Sequence, residues 1–444
     1  MKTLSYTLYI FVLLLLNACA SHTSEIKRLD NSGTDAAALT KRVQRLVEQA
    51  QVHGLALAVF NNNRLVYQNT FGYGRFDTKT PLTDSTNLYG ASLSKAVFGV
   101  LVMQLVEEGV IDLDTPLQSY LPKKIWEYEP RTRWHDNFAD LASDSLYHKI
   151  TARMCLSHTS GFPNWRWFEP DQKLKVLDTP GTRYRYSGEG MTYLQVVLER
   201  MLGKGLEALA QEKIFQPLGM HNTSYTWQPH FEDDFAYGHA ATGAIFGKDK
   251  DNEARGASTL ETTLEDYSKF MEAVLQQKLL SPASYRELFA THIRIHSLRQ
   301  FGPLSLKDST LNDAIALGYG LGWGVLQSPY GVGAFKEGGG SGFHHYSILY
   351  PDAGIGVLIM TNSDNGTGIF KELLALTIAD TYTPTEWNNY VPYQEKAPIA
   401  DSLYGYQCSP CNQACDSLTF TAPGKCPHCQ MKLEPKISLM LGIN

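Results

Sequence analysis

Hydrophobic and polar positions along the chain predict strands near both ends, with helices between them. Apolar residues recur at helical spacing behind Asp35, a residue type that caps helices: Leu39, Val43, Leu46 and Val47. Two strand-like runs, 55–60 and 64–70, flank a turn at 61–63 and favour a hairpin. The beginning of the body is therefore predicted to be a helix followed by a β-hairpin.

The most apolar helix is predicted over residues 93–108, because hydrophobic side chains fall on almost every face. Such a helix is expected in the interior of a domain, with Gly109 ending it. Further on, 346–349 and 354–361 predict two strands, and 366–380 predicts a closing helix. This order favours an α/β body whose sheet joins the two ends of the chain.

The first 18 residues predict an export signal. Lys2 precedes an unbroken apolar run over 9–16, which is much shorter than the roughly 20 residues of a membrane-spanning helix. The run ends in Leu16-Asn17-Ala18-Cys19, which resembles a lipoprotein box, in which Cys19 is lipidated. An ordinary signal peptide with an incidental cysteine is the alternative. We expect a lipid-anchored protein of the bacterial cell envelope, either facing the periplasm or in the outer membrane, with a polar tether over 19–34 and membrane contact through the anchor only.

Composition narrows the classes of function. The chain has 444 residues, of which 43% are apolar and 19% charged, so a large core is expected and a disordered chain is not. Lys and Arg total 39 against 45 Asp and Glu, which leaves no basic surplus for binding nucleic acid. Five of the seven cysteines lie in the last 37 residues, which indicates a small cysteine-built module behind the body.

Ser92 and Lys95 form the first candidate chemical motif. A serine needs a base to become a good nucleophile, and a lysine three residues later lies on the same face of a helix. The start of a helix favours negative charge, and burial lowers the proton affinity of a lysine. Ser24 and Lys27 have the same spacing, but they lie in the polar tether, where neither helix nor pocket is predicted.

Two further motifs carry suitable chemistry. Tyr186-Ser187-Gly188 precedes an amphipathic helix over 191–202, and Lys336-Glu337-Gly338-Gly339-Gly340 is expected ahead of a strand. A glycine run lets a substrate approach the backbone, whose N–H groups can stabilise an oxyanion. Taken alone, each motif also fits an ordinary half-buried tyrosine or a glycine-rich hairpin loop.

In this order, the three motifs resemble those of the class C β-lactamase-like serine hydrolases, a family that includes penicillin-binding proteins, esterases and D-amino-acid peptidases. The likeness covers residues 35–383. It implies a β-lactamase/transpeptidase-like α/β fold, with an antiparallel sheet flanked by helices plus a helical subdomain. Further stretches support it: Tyr89-Gly90-Ala91, 108–116, 156–163, 217–220 and 322–324.

The resemblance also implies roles. Ser92 would be the acylated nucleophile, Lys95 its proton acceptor, Tyr186 a proton relay, and Lys336 a positive charge that tunes them. Backbone N–H groups of Ser92 and Gly339 would form the oxyanion hole. The substrate would be a small ester, amide or peptide, and catalysis would need no cofactor.

Two departures from the family pattern bear on the substrate. Gly188 stands where many members carry an asparagine, and Glu337 stands where lactamases have a hydroxyl residue. A carboxylate at the pocket would repel a β-lactam carboxylate. An ester- or amide-cleaving hydrolase is therefore expected, with a β-lactamase, a D,D-carboxypeptidase or a non-turnover penicillin-binding sensor as alternatives. The aromatic segments 126–138 and 165–168 fit either an acyl pocket or plain packing, and His158 is expected to have a structural role.

The tail predicts a linker over 384–404 and a metal module over 405–437. Two C-x-x-C turns are separated by residues 412–425, close to the spacing of a zinc ribbon, and their cysteines are Cys408, Cys411, Cys426 and Cys429. Cys415 is a possible extra ligand. The run also resembles a heavy-metal-binding tail of bacterial envelope proteins, so zinc or another soft ion is expected, with disulfide pairing as the alternative.

Overall fold

The computed structural model describes residues 25–133, 135–394, 406–408, 415, 418–420, 424–431 and 433–435. The predicted signal, Cys19 and Cys411 lie outside the described residues. The helices are α1 (Ala36–Gln49), α2 (Ser94–Glu107), α3 (Ala152–Leu156), α4 (Gly188–Leu202), α5 (Leu206–Ala210), α6 (Leu264–Leu275), α7 (Pro282–Leu288) and α8 (Phe370–Ile378). None of these described helices is long and apolar enough to cross a lipid bilayer.

The strands are β1 (Glu25–Lys27), β2 (Gly33–Asp35), β3 (Gly54–Asn61), β4 (Arg64–Arg75), β5 (Thr80–Pro81), β6 (Leu88–Ala91), β7 (Leu260–Thr262), β8 (Ile293–Arg294), β9 (Gly318–Tyr319), β10 (Gly324–Ser328), β11 (Gly331–Gly340), β12 (Phe343–Tyr350), β13 (Ile355–Thr361), β14 (Tyr406–Cys408) and β15 (Leu433–Pro435). Nine of them form one sheet in the order β5-β4-β3-β13-β12-β11-β10-β9-β8. All its pairs are antiparallel.

The sheet joins the two ends of the body, as the sequence predicts. β3 pairs with β13, and Leu57 lies opposite Ile359. The predicted first helix is also present, since Asp35 accepts a hydrogen bond from the backbone N–H of Ala38 at 2.9 Å and so caps α1. The antiparallel sheet with flanking helices and a helical region confirms the expected fold class.

Each face of the sheet has its own hydrophobic core. Along β3, alternate side chains enter different cores: Ala56, Ala58 and Phe60 pack on the side of α2, and Leu55, Leu57 and Val59 pack on the side of α1 and α8. Because both faces are covered by helices, every residue of β3 is buried. The unbroken apolar run at 55–60 follows from this two-sided burial.

Helix α2 lies in the centre of the first core, and nearly all its side chains are buried. A Cβ added at Gly99 would lie 2.5 Å from the carbonyl oxygen of Leu321, so only glycine lets α2 approach that backbone so closely. Strands β6 and β7 pair with each other and bracket the helical region between residues 91 and 260. Ser92, which directly follows β6, is therefore fixed between the sheet and this helical region.

The predicted tether and the predicted linker both pack on the body, as far as they are described, over residues 25–34 and 384–394. Ile26 and Leu29 are buried in the second core, and the backbone N–H of Leu29 donates to the carbonyl of Ile378 at 2.9 Å. Trp387 is fully buried in the same core. The described body thus runs from residue 25 to residue 394, because these apolar side chains bury surface against the sheet.

Candidate active site

Ser92 lies in the tight turn between β6 and α2. Ala91 adopts a left-handed conformation with φ of 47°, a strained geometry that is common at functional sites. Ser92 is half-buried, whereas Lys95 is 1% exposed. The Lys95 Nζ lies 2.9 Å from the Ser92 Oγ and 2.6 Å from the carbonyl oxygen of Ala257. The lysine is therefore fixed directly beneath the serine hydroxyl.

The surroundings of Lys95 favour its neutral form. Burial lowers the pKa of Lys95 well below its ordinary value, and the positive charge of Lys336 lowers it further, while Glu337 acts in the opposite direction. A neutral amine at hydrogen-bond distance from a hydroxyl can accept its proton. The arrangement thus has the geometry and the electrostatics of a nucleophile with its base.

Tyr186 lies beside this pair. Its ring centroid is 4.8 Å from the Lys95 Nζ, and the Lys336 Nζ donates to its hydroxyl at 3.2 Å. Burial and then the negative charge of Glu337 raise the pKa of Tyr186 well above its ordinary value, although a hydrogen bond with Ser92 lowers it. The phenol therefore keeps its proton near neutral pH. The structure brings together the four side chains that the sequence singles out for catalysis.

The glycine run after Lys336 lies at the end of β11 and directly ahead of β12, so it does precede a strand, but the sequence does not indicate that the run itself is paired in a strand. Glycine is needed there because a Cβ at Gly338 would lie 2.7 Å from the carbonyl oxygen of Gly90, where β11 passes the turn that holds Ser92. β10 pairs with β11 only as far as Phe335, so the edge formed by 336–340 has no β10 partner. The assignment of the Gly339 N–H to the oxyanion hole stays a prediction.

Glu337 forms a buried ion pair with Lys336. The Lys336 Nζ lies 2.8 Å from the Glu337 Oε1, and the Gln300 side chain donates to the same oxygen. Burial raises the pKa of Glu337, but the charge of Lys336 and the bonds from Lys336 and Gln300 hold it below its ordinary value overall. Glu337 therefore stays ionised and balances Lys336. No motif in the sequence marks Gln300, which belongs to a loop between β8 and β9.

His158 packs against the tyrosine. Its ring lies 4.2 Å from the Tyr186 ring, and its Nδ1 accepts the backbone N–H of Ser187 at 3.1 Å. Burial lowers the pKa of His158 well below its ordinary value, and the positive charges that Lys95 and Lys336 carry when they are protonated lower it further. A neutral, fully buried imidazole that holds the Tyr186 loop agrees with the structural role expected for it.

Position 188, two residues after Tyr186, is a glycine because Trp165 occupies the space where a larger side chain would lie. A Cβ at Gly188 would lie 2.5 Å from the Trp165 ring, which stacks on Trp167 at 4.7 Å. Arg166 forms a buried ion pair with Glu189 at 2.7 Å, which fixes this loop on the start of α4. These aromatic residues pack on α4, whereas Phe168 also lines a cavity of about 160 Å³ beside Tyr186.

The tail contains a cluster of thiols. The sulfur atoms of Cys408, Cys415, Cys426 and Cys429 all lie within 4.8 Å of one another, and those of Cys408 and Cys429 are 3.6 Å apart. A tetrahedral zinc site with Zn–S bonds of about 2.3 Å places its sulfurs about 3.8 Å apart. The described cysteines form no disulfide. The four thiols therefore fit a metal ion.

Comparison with known families gives the class of the protein. The Beta-lactamase family model matches residues 39–379, and the Heavy metal binding domain model matches residues 406–436. The chain belongs to the β-lactamase family and is a serine hydrolase with a C-terminal heavy-metal-binding domain.

Relatives in this family differ in their named activities. Penicillin-binding protein 4* of Bacillus subtilis (strain 168) is 24% identical over 366 residues, which cover 74% of this chain and 72% of that protein. Esterase EstB of Burkholderia gladioli is 23% identical over 384 residues, which cover 74% and 92%. The octameric penicillin-binding protein homologue from Pyrococcus abyssi has the same fold, with a TM-score of 0.61 at 19% identity, covering 84% of this chain and 83% of that one.

The contact between Gly188 and Trp165 predicts a specific destabilisation. Gly188→Asn should lower the free energy of unfolding by about 1–3 kcal/mol, because the new side chain overlaps the indole ring. Adding Trp165→Ala should make the double variant less destabilised than the sum of the two single changes. Gly203→Asn is the matched control, since Gly203 has φ of 64° and no neighbour within 4 Å. Urea denaturation measures all four variants, and a Gly188→Asn protein as stable as the parent would contradict the prediction.

Proposed function

We propose that the chain hydrolyses small acyl esters through an acyl-Ser92 intermediate. The observation that carries this proposal is the distance of 2.9 Å between the Lys95 Nζ and the Ser92 Oγ. The Tyr186 ring lies 4.8 Å from the same nitrogen. A buried amine is a suitable base for a serine, and a protonated phenol is a suitable acid for a leaving alkoxide.

The proposed reaction has two steps. Ser92 Oγ attacks the carbonyl carbon while its proton moves to the Lys95 Nζ, and the backbone N–H groups of Ser92 and Gly339 stabilise the oxyanion. The bond to the leaving oxygen then breaks, Tyr186 gives that oxygen a proton, and Lys95 returns a proton to Tyr186. In the second step a water attacks the acyl carbon. Its proton passes through Tyr186 to the departing Ser92 Oγ, so each residue regains its starting state.

Glu337 supports the choice of a substrate without a carboxylate. Because Glu337 is ionised and pairs with Lys336 at 2.8 Å, this pair has no surplus positive charge to attract a penicillin carboxylate. Hydrolysis of a β-lactam or of a D-alanyl peptide is the second candidate, and it is favoured by the similarity to a D-alanyl-D-alanine-carboxypeptidase/endopeptidase of Escherichia coli (strain K12), which is 25% identical over 318 residues that cover 69% of this chain and 78% of that protein.

We also propose that a lipid on Cys19 anchors the protein in the bacterial cell envelope. The support is the apolar run over 9–16 and the sequence Leu16-Asn17-Ala18-Cys19. Residues 20–24 would then connect the lipid to the body, whose described part begins at residue 25.

For the tail we propose a structural zinc ion held by Cys408, Cys415, Cys426 and Cys429. Thiolates bind zinc tightly, and a module of about 30 residues gains most of its folding free energy from such a metal. The spacing of the cysteines favours Cys411 as a ligand, whereas the cluster within 4.8 Å contains Cys415. The two ligand sets differ in this one residue and can be distinguished by experiment.

The nucleophile can be identified by covalent labelling. A fluorophosphonate should modify the parent protein at Ser92, and Ser92→Ala should remove the label, because the buried lysine activates that hydroxyl. Ser24→Ala, which alters the second serine with a lysine three residues later, should label like the parent. Peptide mass spectrometry locates the adduct, and a label that persists in Ser92→Ala would refute the acyl-enzyme proposal.

Substrate preference tests the role of Glu337. We expect kcat/KM on a p-nitrophenyl ester of a short acyl group to exceed that on benzylpenicillin at least about a hundredfold, or about 2.7 kcal/mol. Glu337→Thr should narrow this ratio because it removes the negative charge, whereas Glu372→Thr on the exposed face of α8 should leave it unchanged. Equal or faster penicillin turnover would favour the second candidate, and a stable penicilloyl adduct would indicate a sensor.

Metal analysis tests the tail. The reduced protein should bind one zinc per chain, and Cys415→Ser should weaken binding about tenfold or more because one metal–sulfur bond is lost, whereas Cys411→Ser should not. Equilibrium dialysis and elemental analysis measure both variants. The opposite pattern would place Cys411 in the ligand set, and two disulfides without metal would support the disulfide alternative. Removal of residues 395–444 should abolish zinc binding and leave labelling of Ser92 unchanged.

A further inference from the structure

The segment after residue 383 holds a loop of the body in place. The indole N–H of Trp387 donates to the Ser297 hydroxyl at 3.0 Å, and the carbonyl oxygen of Trp387 accepts the backbone N–H of Gln300 at 3.0 Å. All three residues are buried. Two hydrogen bonds from one fully buried tryptophan therefore fix the position of residues 297–300.

This loop in turn contacts the candidate active site at two points. The Gln300 side chain donates to the Glu337 Oε1, the oxygen that lies 2.8 Å from the Lys336 Nζ. The neighbouring Phe301 packs edge-on against Tyr186, with ring centroids 5.1 Å apart. A continuous series of contacts thus leads from Trp387 through Gln300, Glu337 and Lys336 to the hydroxyl of Tyr186.

The carboxylate of Glu337 depends on these contacts for its orientation. Its Oε1 is bonded by Lys336 and Gln300, whereas its Oε2 is buried without a hydrogen-bond partner among the described residues. A hydrogen bond to a buried charged group contributes more than one between neutral groups. Loss of Gln300 would therefore leave Lys336 as the only described side chain that orients this carboxylate.

We infer that Gln300 is a positioning residue that fixes the Glu337–Lys336 pair against Tyr186, and that Trp387 fixes Gln300. The inference rests on the proposed acyl-Ser92 function and extends it, because it makes a segment with linker composition part of the support of the active site. Gln300 acts through Glu337, and it need not touch the substrate.

A double-mutant cycle separates this role from a general structural one. Gln300→Leu should lower kcat on the p-nitrophenyl ester about tenfold with little change in KM, since one bond to a charged group is lost. In a Glu337→Thr protein, which lacks the acceptor, the same change should lower kcat less than about twofold. Trp387→Phe keeps an aromatic ring in the core and removes the N–H that donates to Ser297. It should lower kcat about threefold in the parent protein and leave kcat unchanged in the Glu337→Thr protein.

Tyr393→Phe is the control on the same segment. It removes a hydroxyl that bonds Gln49 at 3.4 Å and has no contact with Gln300, so kcat should not change. Equal losses in both backgrounds, or no loss with Glu337 present, would overturn the inference. If fluorophosphonate does not label Ser92 in the parent protein, the proposed function fails. If it labels Ser92 there and the cycle is additive, only the inference fails.

Discussion

The candidate site depends on one constraint, which is that Lys95 is held out of water directly beneath the Ser92 hydroxyl. Nearly every face of α2 is buried, and only 1% of the lysine is exposed to solvent. Its amine lies 2.9 Å from the Ser92 Oγ, and burial together with Lys336 lowers the pKa of that amine. A solvent-exposed lysine would stay charged and could not accept the serine proton. The chemistry of this site therefore follows from the packing of a helix.

Lys336 is a second buried amine near Lys95, and its positive charge is balanced by the carboxylate of Glu337. The carboxylate lies 2.8 Å from the Lys336 Nζ and remains ionised because of that contact. Burial raises the pKa of Tyr186, and the negative charge of Glu337 raises it further, so the phenol keeps its proton. In the proposed mechanism, the same glutamate keeps the proton on Tyr186 and balances the positive charge that would attract an anionic substrate. In this mechanism, selectivity and acid–base chemistry are therefore coupled through one side chain.

The sequence predicts the parts of the structure that depend on local spacing. Ser92 and Lys95 are one helical turn apart, and the apolar periodicity indicates α2, the first hairpin and the strands that join the two ends. The roles of Tyr186 and Lys336 come from the family resemblance, because their distance along the chain carries no geometric information. The sequence does not predict that the glycine run itself lies inside β11, because glycine is uncommon inside strands, and here it is required by the close approach of Gly90.

Other features depend on tertiary packing and have no local signal. Trp165 fills the space beside Gly188, Gln300 bonds Glu337, and Trp387 is buried although its neighbours have linker composition. The protonation state of Lys95 is the most direct test of the whole account. With ¹³C-labelled lysine and a Lys95→Arg variant for assignment, NMR titration should show Lys95 losing its proton well below the roughly 10.4 of an ordinary lysine. A Lys95 signal that titrates at the ordinary value would contradict the account.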